Sequence, residues 1–355
     1  MVDVIITTGE DLRKLEKAKD VNVKFASGII TVPETLFVLR DLKNVTFDGS
    51  TGPKGRVAFV GGSIQLFDPK NVKFNNISFH LERPNLDPTV YERWWGGIRV
   101  LATKTSGFKD LVFENVSFRG HTDELAFTHA DSWNGKVGGT TGSNVIFNRC
   151  VIGPSIKGRM AGREFHNFNL MVEGVNNVLI EECVFGAANR RSPQLRGKGN
   201  LIQNCIISSY GTMAVGLHGG SELDIRNVAF MPNYQTTLNR PYPIKPVEGT
   251  RLAFGNKTIK IHIDQVYEVP HPKHPNSRNG YNCWGTWSES NGDNEDRVCH
   301  FGGFPNRWEQ FLDLNKLYDT CGVQDTFDKN FLNLVKSGSM IWNFDIQPLV
   351  KSDYI

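Results

Sequence analysis

The sequence predicts an all-β fold, a right-handed single-stranded parallel β-helix. Three observations carry this. One short pattern of alternating apolar residues recurs along the first two thirds of the chain. Asparagine returns at the same place within it. Glycine, with 35 residues, far outnumbers proline, with 16, and the Val/Ile/Phe runs between them are short, as expected of strands joined by tight turns. A single β-helix domain over 1–355 is expected, with repeating coils over about 44–230 and an irregular segment, 231–355, packed on the barrel.

The amphipathic stretch from Glu10 to Lys19 predicts a helix closing the open N-terminal end of the coil, which a solenoid needs for solubility. A partial first copy of the repeat is NVTFDG (44–49). Full copies follow as NVKFNNISF (71–79), DLVFENVSF (110–118), NVIFNRCVI (144–152), NVLIEECVF (177–185), GNLIQNCII (199–207) and ELDIRNVAF (222–230). Their spacing of roughly 22 to 39 residues is that of solenoid repeats. Each copy reads as two short strands with a bend between them, and residues such as Val72 and Phe74 face inward with period two. Asn76, Asn115, Asn204 and Asn227 fall on the bend, where asparagine tolerates a left-handed backbone and its amide can bond to the coils above and below.

The next inward position reads Ile77, Val116, Cys150, Cys183, Cys205, Val228. These side chains should stack about 4.8 Å apart. The three cysteines are expected to be buried, unbonded small hydrophobes, because stacked side chains point the same way rather than at each other. No CxxC pair is present, which argues against a thiolate zinc site, and the pairing of Cys283, Cys299 and Cys321 is open. Beyond Met231 the pattern fades, and FLDLNKLYDTCG and QDTFDKNFLNLVKSG read as short helical pieces.

The net charge of +3 is spread along the chain without a basic block, so nothing points to nucleic acid. No apolar stretch is long enough to cross a bilayer, so no membrane partner is expected. The N-terminus lacks a basic segment followed by an apolar one. An extracellular location is expected, as a mature secreted chain or a virion part. Loops of unequal length leave one side of the coils, and this is where a solenoid binds its ligand.

Several blocks, in order, resemble polysaccharide lyase family 1, the pectate lyases. VKFASGIITVPETL (23–36) with NVTFDGSTGPKG (44–55) resembles the family's opening coil, and NVKFNNISFHLERP its next. DLVFENVSFRGHTDELAF is similar to a strand, turn and acidic pair of the family. NRRSPQLRGKGNLIQNCI (189–206) resembles the family's Arg-x-Pro-x-x-Arg-x-Gly run, and CGVQDTFDKNFLNLVKSG (321–338) a C-terminal tail of a bacterial branch. The resemblance implies a pectate lyase-like β-helix that cleaves pectate or a related acidic polysaccharide by β-elimination. By position it implies Arg191 as the base and Arg196 as the ligand of the substrate carboxylate, with Arg190 beside them. Pro193 fixes the direction of this loop. A guanidinium is nearly always protonated, so the base role implies a strongly perturbed site or an alkaline optimum.

The resemblance further implies calcium, with Asp123 and Glu124 as ligands, because a hard cation needs oxygen donors. Glu114 aligns with an aspartate of the preceding strand, and Glu173 lies near the same cleft. His166 and Asn167 stand where many relatives bind substrate with a basic residue. Trp94-Trp95-Gly96-Gly97 aligns with a place where many relatives carry calcium-binding aspartates. Asp87 or Glu92 could substitute for them. Trp94 and Trp95 either stack on sugar rings or pack into the core. The alternative to a lyase is a non-catalytic carbohydrate-binding β-helix, such as a virus tail or adhesin module, since fold does not fix function. A hydrolase would need converging aspartates, and the repeats offer none.

Overall fold

The structure is a computed structural model. It describes the chain except residues 35, 82–96, 105, 122–123, 131–140, 156–167, 212, 233–241, 247–258, 269–298, 302–313 and 337–348. Two parallel sheets, of 15 and 8 strands among the described residues, wind into a parallel β-helix. Each repeat copy lies in the larger sheet as two arms around the bend. In Lys70–His80, Val72 on the first arm pairs in register with Val45 of the previous coil. Ile77 on the second arm pairs with Val57. The smaller sheet closes each coil with strands such as Ile98–Ala102, Leu125–His129, Leu170–Glu173, Gln194–Arg196 and Met213–Leu217.

The predicted bend is present. Asn76, Asn115, Asn204 and Asn227 all have φ between 51° and 54°, and Arg149 and Glu182 take the same left-handed conformation in the two copies that lack asparagine. The Asn115 amide donates to Asn76, and that of Asn227 to Asn204 at 3.1 Å. A second ladder runs through the first residue of the motif. Asn44, Asn71, Asn144 and Asn177 are also left-handed. Asn71 donates to Asn44 at 2.9 Å, and Asn177 to Asn144 at 3.1 Å.

The core repeats in columns. Phe47, Phe74, Phe113 and Phe147 stack ring on ring at 4.5, 5.3 and 5.1 Å. Ile180, Ile202, Ile225 and Ile263 continue the same register. Cys150, Cys183 and Cys205 are buried, aligned and unbonded, as expected. Each of the last two receives the backbone N–H of the preceding cysteine at 3.4 Å.

Three expectations about extent need correction. The N-terminal helix expected over Glu10 to Lys19 is a shorter 3₁₀ segment, Gly9–Leu15. Asp11 starts it by accepting the N–H groups of Thr7 and Thr8 at 2.9 and 2.8 Å. The chain must then return to extended backbone to pair Lys19–Phe25 with Val2–Ile6, so no longer helix forms. Leu12 and Leu15 still insert into the end of the core. Coils also begin before residue 44, at Val2–Ile6, and continue past 230 through Tyr242–Pro246, Lys260–Glu268 and Cys299–Phe301. In the copy at 260–268 Gln265 occupies the bend position, between the register pairs Arg226–Asp264 and Val228–Val266.

The expected helical pieces are α1 (Leu314–Thr320) and α2 (Thr326–Lys336). They cover the outer side of the second arms, where Val151, Val184, Ile206 and Ala229 meet Leu317, Phe327, Phe331 and Val335. Cys321 is a buried free thiol that donates to the Cys150 carbonyl at 3.0 Å.

Candidate functional site

In the smaller sheet, Leu125, Phe127, Leu170, Val172, Leu195 and Leu217 enter the core. Their neighbours along each strand must point to the opposite face. That outer face therefore carries Met171 and Glu173 on one strand and Gln194 and Arg196 on the next, and Glu173 stands directly in register with Arg196. The same alternation places Glu124 and Asn169 at the strand starts. These polar side chains are nevertheless buried, Glu124 at 2% and Arg196 at 6% exposure.

Arg191 sits just before the Gln194–Arg196 strand with φ of 64°, a conformation costly for a residue with a Cβ. Neighbouring coils hold it there. Its carbonyl accepts the Leu170 N–H at 2.7 Å, the Ser192 N–H donates to Ala214 at 2.8 Å, and the Pro193 carbonyl accepts from Gly216 at 2.9 Å. The guanidinium pairs with Glu124 Oε1 and lies 4.1 Å from the centre of the Phe168 ring. Arg190 lies over the same ring at 4.6 Å. Beside this group, His121 Nε2 meets Asn169 Oδ1 at 3.1 Å, and the Asn169 amide donates to Ser192 Oγ at 2.9 Å. Burial holds the imidazole of His121 down at about 4, so it is neutral at physiological pH.

One coil along, His218 Nε2 lies 3.1 Å from Glu173 Oε1 and 2.8 Å from Gln194 Nε2. Gln194 also donates to Glu173 at 3.3 Å. Burial raises the Glu173 carboxyl, but His218 and the charges of Arg196 and Arg191 outweigh it and hold the group below its ordinary value. Burial lowers the Arg196 guanidinium, with Glu173 opposing.

Arg190, Arg191, Arg196, Glu124 and Glu173 thus gather on one face. Glu114 does not belong to it. It lies in the larger sheet, bound to Lys73 and Arg149 at 2.6 Å each. Asp123, His166, Asn167, Trp94, Trp95, Asp87 and Glu92 lie outside the described residues. Calcium takes about six to eight oxygen ligands, and Asp123, the first expected one, lies outside the described residues. Glu124 Oε1 is committed to a guanidinium, and among the described residues no three His, Cys, Asp or Glu side chains gather to hold a metal. Sequence reasoning missed His121, Asn169, Gln194 and His218. The only signal for Gln194 was its place two residues before Arg196, on the same side of a strand.

No family model and no curated relative matches the chain. Among solved structures it is similar to a pectate lyase from Paenibacillus sp. 0602, at 9% identity and a TM-score of 0.48, with 93% of each chain covered. It is also similar to an alginate lyase from Paenibacillus sp. str. FPU-7, at 8% identity and a TM-score of 0.44, over 75% of this chain and 95% of that one. A third is PfbA, a surface adhesin of Streptococcus pneumoniae, at 11% identity and a TM-score of 0.33, over 75% and 77%. The strand pairing of the chain itself establishes the parallel β-helix.

Proposed function

We propose that this chain is a polysaccharide lyase that cleaves pectate or a related acidic polysaccharide by β-elimination. The observation that carries the reading is the placement of Arg191 and Arg196 on one outer face, the first pinned by two neighbouring coils and the second inside a strand. In β-elimination the proton α to the uronate carboxylate leaves, its electron pair forms the new double bond, and the 4-linked oxygen departs and takes up a proton. The α-proton is weakly acidic, so positive charge at the carboxylate lowers the barrier. Arg196 offers a planar fork suited to a carboxylate, and its burial strengthens that contact.

Arg191 is the group at the α-carbon. Glu124 opposes its use as a base, because an ion pair with a carboxylate favours the charged guanidinium. Turnover should therefore climb toward alkaline pH. Arg190, His166 and Trp94 are proposed to hold the sugar chain. No step runs through calcium, and any calcium bound through Asp123 acts outside this scheme. A secreted or virion-borne chain suits such a substrate.

One observation favours a carbohydrate-binding module instead. The polar groups of the face are buried and bonded to each other, as in a structural network. The deciding experiment incubates the protein with polygalacturonate or alginate and follows the ultraviolet absorbance of unsaturated uronate ends. The parent should form them. Arg191→Lys should lose roughly 100-fold or more of the rate with binding kept, and Arg196→Ala should weaken binding and rate together. Binding of polyuronate by the parent without unsaturated product would replace the lyase with the binding module.

A further inference from the structure

We propose that His218 and Glu173 form a proton switch that sets the affinity of Arg196 for a uronate carboxylate. The inference rests on the reading of Arg196 given above and goes beyond it by naming what regulates that subsite. Glu173 stands between two cations. Arg196 is its register partner on the next strand, and His218 lies 3.1 Å from it. When His218 carries a proton, its Nε2–H donates to Glu173, and the three side chains together hold a net charge of +1. When His218 is neutral, Nε2 accepts from the Gln194 amide at 2.8 Å, and Glu173 cancels the charge of Arg196. The net charge of the cluster is then zero. Imidazole is the side chain suited to such an exchange near neutral pH.

Glu173 comes from the Leu170–Glu173 strand, Gln194 and Arg196 from the next, and Arg191 adds charge from the preceding loop. On its own segment His218 is held by its backbone. Its N–H donates to Leu195 at 3.2 Å, and its carbonyl accepts from Ser221 Oγ at 2.6 Å. These bonds leave the ring, rather than the chain, to change partners. The strand of the following coil, Tyr242–Pro246, brings Lys245 into register with Gly216.

The switch makes two opposite predictions. A saturated oligogalacturonate, bound to the parent and followed by calorimetry, should bind roughly tenfold tighter near pH 5 than near pH 8. In Glu173→Gln the competitor of Arg196 is gone and His218 has lost its counter-charge. Affinity should be nearly independent of pH and match the tight, acidic limit of the parent. In His218→Gln the exchange is lost with Glu173 kept, so affinity should be flat at the weak, alkaline limit. A packing role would weaken both variants without flattening either curve.

Parent binding that does not change with pH, or variants that keep the parent slope, would overturn the switch while leaving the uronate reading intact. A parent that binds no oligouronate at any pH would overturn the uronate reading and the switch with it.

Discussion

Arg119 is fully buried, and its guanidinium donates to Asp325 from both terminal nitrogens, to Asp328 at 3.2 Å, to Ser78 Oγ at 2.5 Å and to the Tyr354 hydroxyl at 3.1 Å, with Phe327 stacked 4.4 Å away. One arginine facing two carboxylates leaves one negative charge in excess. Asp328 is pushed up to about 7, by burial first and by the charge of Asp325 second, against the pull of Arg119. In the unfolded chain an aspartate titrates near 4. The contribution of Asp328 to stability is therefore full below about pH 4 and lost as pH rises through about 7. Asp325 has the opposite sign. Burial raises it, but Arg119 dominates and holds it well below the carboxylate range, so its contribution is present above about pH 4 and lost in acid. Asp328→Asn keeps the acceptor for Arg119 and can donate to Ser117 Oγ, the present partner of Asp328 at 2.7 Å. Urea unfolding should show it close to the parent near pH 4 and more stable by about 2–4 kcal/mol near pH 9. Asp325→Asn should cost about 3–5 kcal/mol at both. Equal losses in the two variants would contradict this division of roles.

Among the elements, the bend shows what a repeated asparagine contributes. At Asn115, with φ of 54°, two things hold the corner, a left-handed backbone and an amide that donates to Asn76. Glycine keeps the first and loses the second, whereas alanine loses both. Asn115→Gly should cost about 1 kcal/mol and Asn115→Ala about 2–3 kcal/mol, measured as a shift in the denaturant midpoint at constant slope. Equal costs would mean that the backbone conformation is not what asparagine serves there. The copies were legible because the bend and the inward columns recur at fixed offsets within nine residues. The smaller sheet was not, because stretches of sequence of unequal length separate Ser63–Phe67, Ile98–Ala102 and Leu125–His129 from the motif. The site divides the same way. Arg190, Arg191 and Arg196 share one run of sequence, but Glu124, Glu173 and His218 reach them only through strand register across coils.

Across the whole molecule the three flanks of the coil have separate uses. The first arms face solvent with pairs such as Lys73–Glu114, the smaller sheet carries the buried polar face, and the second arms lie under α1 and α2. The sequence revealed the helices but not their seat, since nothing in a lone arginine after a repeat copy announces Asp325 as its partner. A solenoid held only by contacts between adjacent coils can open one coil at a time. Here the C-terminal segment links coils that do not touch. Gln324 accepts from Arg56 at 2.9 Å, Asp328 accepts from Ser117, and the Phe331 ring lies so close to Gly186 that a Cβ there would come within 2.7 Å. Such a clasp makes distant coils share one fate, so the parent should melt in a single calorimetric transition. Phe331→Ala removes a fully buried ring at the centre of the clasp and should cost about 3–5 kcal/mol. Its particular signature should be an early, separate step in which α2 gains hydrogen exchange while Val45–Phe47 and Val72–Phe74 stay protected. A Phe331→Ala protein that melts lower but still in one step would show that adjacent-coil packing alone sets the cooperativity. A parent that already melts in two steps would show that the clasp does not join the coils.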